Sequence, residues 1–215
     1  MKKLFALVAA SLFTIASAQA TVLSHTAIQG PALTDWNGTT AKTLSVQQFD
    51  ASLGQLTAVT LTFSGDLQAR FIAENPNDTA QLITTALLGH MQFVAPTLSG
   101  VDLGFSGSAL VLLAGDGISD TMLSATNSAD ATLYAGWDAF VGPGSFDVVV
   151  TALGQSSVSG SGNLDGGAVT QATARVTVSY DYRPGQSVPE PASLALVGLA
   201  LGSAGLAARR RRGPR

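Results

Sequence analysis

"ATARVTVSYDY", Ala172 to Tyr182, alternates without a break. Ala172, Ala174, Val176, Val178, Tyr180 and Tyr182 share one face, and Thr173, Arg175, Thr177, Ser179 and Asp181 share the other. A period of two is the signature of a β-strand with one buried face. Slipping the register by one residue would bury Arg175 and Asp181, so the facing of the strand is fixed. The same period recurs upstream. Phe146, Val148, Val150 and Ala152 line one side of another strand. Thr57, Val59, Leu61 and Phe63 alternate with Ala58, Thr60 and Thr62, and Leu67, Ala69, Phe71 and Ala73 alternate with Asp66, Gln68 and Arg70. Ser64-Gly65 between these two runs predicts the turn of a hairpin. Asn37-Gly38, Asp116-Gly117, Gly142-Pro143-Gly144 and the stretch from Asn163 to Gly167 predict further turns. Asp78 to Gly89 admits a short helix, with Asp78 as N-cap and Gly89 beyond its end, or a strand; the β-branched run Ile83-Thr84-Thr85 favours the strand. Strands at this spacing predict an all-β fold, an antiparallel β-sandwich with Greek-key or jelly-roll connections, over residues 21–183.

The chain has 215 residues, of which 46% are hydrophobic and 12% charged. That is enough apolar surface for one ordinary core. There is no cysteine, which excludes a disulfide framework and any thiolate metal site. The overall charge of −3 hides an uneven distribution. Between Thr21 and Val188 four cations (Lys42, Arg70, Arg175, Arg183) face thirteen acids, a formal charge of −9. Such a surface repels phosphate backbones and excludes nucleic acid as a partner.

The two ends carry the remaining basic residues. Lys2 and Lys3 precede an apolar run from Leu4 to Ala16, and Ala18-Gln19-Ala20 follows as an A-x-A cleavage site. This order is that of a secretory signal peptide over residues 1–20, handled by the Sec machinery and cut by signal peptidase after Ala20. At the other end Ala192 to Ala208 holds no charge, and Arg209, Arg210, Arg211 and Arg212 follow directly. As a helix the apolar stretch reaches roughly 25 Å, just enough to span a membrane when its flanks snorkel. The arginines keep the far end cytoplasmic. The expectation is a β-sandwich flanked by a signal helix and a C-terminal transmembrane helix over 192–208, with a linker at 184–191 and a basic tail at 209–215. Pro189-Glu190-Pro191 stands in that linker, where two prolines hold the backbone extended and accessible.

Pro189-Glu190-Pro191, the Leu/Ala/Gly span and Arg209 to Arg212 together resemble the PEP-CTERM sorting signal of Gram-negative bacteria. The resemblance covers about the last 27 residues of the chain. It implies recognition by an exosortase, transient inner-membrane insertion, and release to the cell surface or outside, in a family whose members accompany exopolysaccharide, biofilm or floc production. A second resemblance rests on "FDASLGQLTAVTLTFSG" (Phe49 to Gly65), on Glu74-Asn75, and on the closing "ARVTVSYDYRP". These are similar to the choice-of-anchor E domain, a bacterial surface domain with interchangeable C-terminal anchors and no assigned activity.

Residues able to carry chemistry are sparse. No H-E-x-x-H, G-x-S-x-G or phosphate-binding loop occurs. His25 and His90 are the only histidines, and a catalytic serine would need one of them. Paired glycosidase carboxylates can hide among thirteen acids, since their separation is spatial. Asp116 and Asp120 in "GDGISD", and Asn163 with Asp165 in "NLDGG", offer oxygen ligands for calcium. The same residues are what tight turns require, and turn chemistry is the simpler account. Trp36, Trp137, Tyr134, Tyr180 and Tyr182 form either a sugar-stacking platform or core; Tyr180 and Tyr182, on an apolar strand face, favour core. The sequence therefore predicts a non-enzymatic exported protein without cofactor or metal, structural or adhesive in role. A carbohydrate-binding module for exopolysaccharide is the alternative, and a secreted hydrolase comes last.

Overall fold

The computed structural model describes residues 20–185, 198–201 and 203. Eight strands make the domain: β1 (Thr21–Leu33), β2 (Lys42–Gln47), β3 (Gly54–Asn75), β4 (Gln81–Val94), β5 (Val101–Leu113), β6 (Gly117–Leu133), β7 (Ser145–Gly160) and β8 (Asp165–Pro184). Single turns of 3-10 helix at Gly38–Thr40, Ala51–Leu53 and Asp138–Phe140 lie in the connections. The strands pair antiparallel in two four-stranded sheets, of order β1-β8-β3-β6 and β2-β7-β4-β5. The pairs β4·β5, β3·β6, β2·β7 and β1·β8 are nested, like one long hairpin that has been rolled up. The contacts β3·β8 and β4·β7 then complete each sheet. This is the jelly-roll order, so the fold is all-β and the expected sandwich is present.

The alternation read from Ala172 to Tyr182 becomes β8, which lies between β1 and β3. Ala172, Ala174, Val176, Val178 and Tyr180 are buried, whereas Arg175 on the opposite face is exposed. They meet Leu61, Phe63, Leu67 and Phe71 of the same sheet and Leu87, Met91, Phe93, Val148 and Val150 of the other in one core. Each fully buried side chain of this size contributes about 1.5–3 kcal/mol relative to exposure. Tyr180 carries the one polar tip in this row; its hydroxyl donates to the Gln47 carbonyl at 2.8 Å, and burial pushes its phenol pKa up. The segment with two readings is β4, a strand from Gln81 onward.

The hairpin expected at Ser64-Gly65 is not formed. β3 runs unbroken for 22 residues, and Ser64 and Gly65 pair with Ser128 and Asn127 on one side and with Arg175 and Ala174 on the other. The physical reason was present in the spacing: Phe63, Gly65 and Leu67 keep the same phase, so the apolar face continues through the glycine. Gly65 is there for room. A Cβ on it would stand 2.5 Å from Met91 Sδ and 2.8 Å from the Phe105 ring. Within that strand the register against β8 shifts once, between Leu56 and Ala58, where Thr57 is the extra residue of a bulge and its hydroxyl donates to the Asp181 carbonyl at 2.9 Å. The bulge moves the buried phase from Leu56 to Val59. The turn expected over Asn163 to Gly167 is shorter than read, because β8 already begins at Asp165.

The pairing fixes two poles. Thr21 pairs with Tyr182, and Gly54 with Pro184, so the domain's chain begins and ends at one pole. Glu74 pairs with Asp165 and Asn75 with Gly117, so the β3–β4, β5–β6 and β7–β8 connections gather at the other. The compact unit that contains the sandwich ends at Pro184. The expected signal helix over 1–20 lies outside the described residues except for Ala20. The expected transmembrane helix over 192–208 also lies outside them, save residues 198–201 and 203, which are helical. Among the described residues no helix is long and apolar enough to cross a membrane.

Candidate functional site

Of the residues singled out by sequence, Ala18, Pro189, Glu190, Pro191, Arg209, Arg210, Arg211 and Arg212 lie outside the described residues. Ala20 is exposed and immediately precedes β1.

The two histidines belong to different sheets. His25, in β1, is half-buried with its ring edge-on to Tyr180 at 6.2 Å, and His90, in β4, is exposed. The arrangement does not bring them together. The aromatic residues do not form a platform either. Trp36 and Tyr180 are buried, the Trp36 indole donating to the Leu33 carbonyl at 2.6 Å. Tyr182 is half-buried against Phe49, and Tyr134 alone among the five is mostly exposed. Core packing is thus the role of Trp36 and Tyr180.

Of the oxygen ligands considered for calcium, Asp120 and the Asn163 main-chain carbonyl have partners of their own. Asp120 receives the Nε and Nη2 of Arg70, with Nε to Oδ1 at 3.0 Å. The Arg70 hydrogen bonds hold the Asp120 carboxyl below its ordinary pKa and raise that of the guanidinium. Asp116 occupies a left-handed turn position at φ 52°, which asparagine and aspartate tolerate better than most residues. The Asn163 carbonyl accepts from Asn77 Nδ2 at 2.9 Å and Gln81 Nε2 at 3.2 Å. Among the described residues no three His, Cys, Asp or Glu side chains converge on one point. Glu74 lies directly opposite Asp165 in the β3·β8 register, at the edge of the loop pole.

A polar cluster at that pole went unread in the sequence. Asn75 is fully buried; its Nδ2 donates to the carbonyls of Thr79 and Ala114, both at 2.9 Å. Its Oδ1 accepts from Asn77 N, Asn77 Nδ2 and Gln81 Nε2. One side chain therefore ties the β3–β4 connection to the β5–β6 connection, and through Asn77 and Gln81 to the β7–β8 connection. Gln81 Oε1 is buried without a partner among the described residues, a cost of roughly 1–3 kcal/mol that the other bonds offset. The signal that would have found the cluster is phase: Asn75 sits at an inward position after Phe71 and Ala73.

The outer face of the β1-β8-β3-β6 sheet is dense in hydroxyls. Ser24 bonds Ser179, Thr26 bonds Thr177 and Thr60 bonds Thr132 across neighbouring strands at 2.9, 2.9 and 3.1 Å. Toward the loop pole this face has two shallow concavities in line along β3. One, of about 460 Å³, lies around Ile72 and Gly167; the other, of about 520 Å³, lies around Asp66 and Arg175.

The domain is thus an acidic jelly roll whose carboxylates, histidines and aromatics are dispersed or engaged. The end of the chain is what places it: residues 187–212 match the PEP-CTERM protein-sorting motif. The motif marks an exported protein that an exosortase sorts, held transiently at the membrane. No curated protein matches the chain by sequence. Among solved structures the chain is similar to the globular domain of zebrafish complement 1qA, at 9% identity and a TM-score of 0.25, over 74% of this chain and 97% of that one. It is also similar to the Eiger TNF of S. frugiperda, at 9% identity and a TM-score of 0.26, over 79% and 98% of the two chains. A third likeness is to a chain of the T13 viral particle of IBDV, at 10% identity and a TM-score of 0.18, over 86% and 47%.

Proposed function

We propose that this is a non-catalytic structural or adhesive protein of the surface or extracellular matrix of a Gram-negative bacterium, associated with exopolysaccharide or biofilm. The order Pro189-Glu190-Pro191, apolar span, Arg209 to Arg212 carries the reading, with the match over residues 187–212 in its support. The chain enters the Sec pathway, loses residues 1–20 to signal peptidase, stops in the inner membrane through 192–208, and meets the exosortase there. The likeness to the choice-of-anchor E domain fits such a carrier, in which the anchor is separable from the surface module.

The test separates the two halves of the tail. Replacing Pro189, Glu190 and Pro191 with alanine in an exosortase-containing host should leave the chain membrane-bound at its uncut mass. Replacing Arg209 to Arg212 with glutamate should disturb retention itself, since the positive flank sets orientation. Release of the alanine variant like the parent would reduce Pro189-Glu190-Pro191 to a linker. Mass spectrometry of the exported parent should find Thr21 at its N-terminus.

A further inference from the structure

The geometry points to the concavity around Gly167, on the outer face of the β1-β8-β3-β6 sheet, as a binding site for an uncharged polysaccharide strand. This goes beyond the sorting reading, names a ligand for the exported domain, and is tested without the tail.

The floor comes from register. Ile72 lies opposite Gly167 on β8, and Arg70 lies between Val169 on β8 and Met122 on β6. The missing side chain at Gly167 opens a gap walled by Ile72, Met122 and Val169, which are 49%, 65% and 52% exposed. Gly167 is the third residue of β8, just past the β7–β8 turn. No packing explains the glycine: a Cβ on Gly167 would meet nothing within 4 Å. The residue is dispensable to the core and defines the hollow.

The rim is polar and oriented. Gln68 and Gln171 face each other across β3 and β8 one row along. Asp120 grips Arg70 by Nε and Nη2, which fixes the guanidinium plane and leaves Nη1 outside that grip. Two amides that both donate and accept, beside a fixed guanidinium–carboxylate pair, match the vicinal hydroxyls of a sugar. The aliphatic walls match its C–H face. A volume of about 460 Å³ is within the roughly 300–1,000 Å³ usual for small-molecule sites.

Two observations select a neutral polymer. The second concavity continues the first along β3, with Asp66, Asn127, Thr173 and Arg175 in its lining, so a chain can lie across both. Glu74, Asp66, Asp130, Asp165 and Asp181 occupy the same face, and with a domain charge of −9 they repel a polyanion.

The experiment uses residues 21–184, which contain the whole buried core. Native gels are cast with hydroxyethylcellulose, dextran or polygalacturonate. At least one neutral polymer should retard the domain, and polygalacturonate should not. Gly167→Leu, which fills the hollow from open space, should weaken that retardation at least tenfold with no fall in melting temperature. Thr43→Leu, at an exposed position of β2 in the other sheet, should leave it unchanged. Arg70→Gln should weaken it as well, which covers the case of a misfolded leucine variant. Retardation by neither neutral polymer, retardation unaffected by both pocket variants, or preference for polygalacturonate overturns the proposal. None of these results bears on release from the membrane, so this site and the sorting reading fail separately.

Discussion

Gly65 lets the longest strand pass through the centre of the core. It holds no left-handed turn; it removes a side chain where Met91 and Phe105 close in from the opposite sheet. Gly65→Val should therefore destabilise the domain by about 1–3 kcal/mol through overpacking, read as a lower urea midpoint at unchanged slope. If the residue were a turn glycine, the strand would break and the slope would change too. The Arg70–Asp120 pair makes a prediction of the opposite kind, visible in titration rather than stability. Hydrogen bonding by Arg70 lowers the folded-state pKa of Asp120 below the ordinary carboxyl value. Whatever the pair contributes is present above the ordinary carboxyl value and is lost as pH falls through the depressed one. Carbon-detected NMR should place the Asp120 midpoint below those of ordinary exposed aspartates, and Arg70→Gln should return it to the ordinary range. Neither partner's commitment was visible in the chain, because Arg70 and Asp120 are fifty residues apart and meet only through the β3·β6 register.

Strands were legible where one face is buried and the other wet. The facing of β8 from Ala172 to Tyr182 followed from its period alone, and so did the inward row Phe146, Val148, Val150 and Ala152. In β3, Ser64-Gly65 is turn chemistry set inside an apolar phase that never changes. A turn would have let the phase reset, and Leu67 did not reset it. The connections at the loop pole were illegible for another reason: turn composition gives their positions but not which of them touch. Asn75 makes that link, so its loss should be felt in three connections at once. Asn75→Ala should cost on the order of 2–4 kcal/mol, since the Thr79 and Ala114 carbonyls lose their donor in a buried place. Hydrogen exchange should quicken together around residues 76–80, 114–116 and 161–164. Exchange that quickens only in the first of these would mean that the cluster is local.

At the scale of the whole chain, the nested pairing is what sequence pattern could not supply. Period two says which face of a strand is wet and is silent on which strand lies beside it. The fold class was therefore readable and the strand order was not. The oxygen-rich turns that raised calcium can now be placed: Asp120 is held by Arg70, and the Asn163 carbonyl accepts two amide donors. The melting temperature of residues 21–184 should accordingly be unmoved by EDTA or by millimolar calcium, because only a ligand that favours the native state raises it. A rise of several degrees would reveal a site, and the carboxylates of Asp116 and Asp165 would be the first to replace. The placement of Thr21 beside Tyr182 has a mechanical outcome. β8 is twenty residues long and is hydrogen-bonded on both flanks. A pull on Pro184 against the far pole loads those two ladders lengthwise, so many bonds must yield together. A pull on Thr21 away from Pro184 peels the edge strand β1 from β8 one bond pair at a time. The domain should then resist drag while its tail holds it, and give way at a much lower force when it is tugged by the other end.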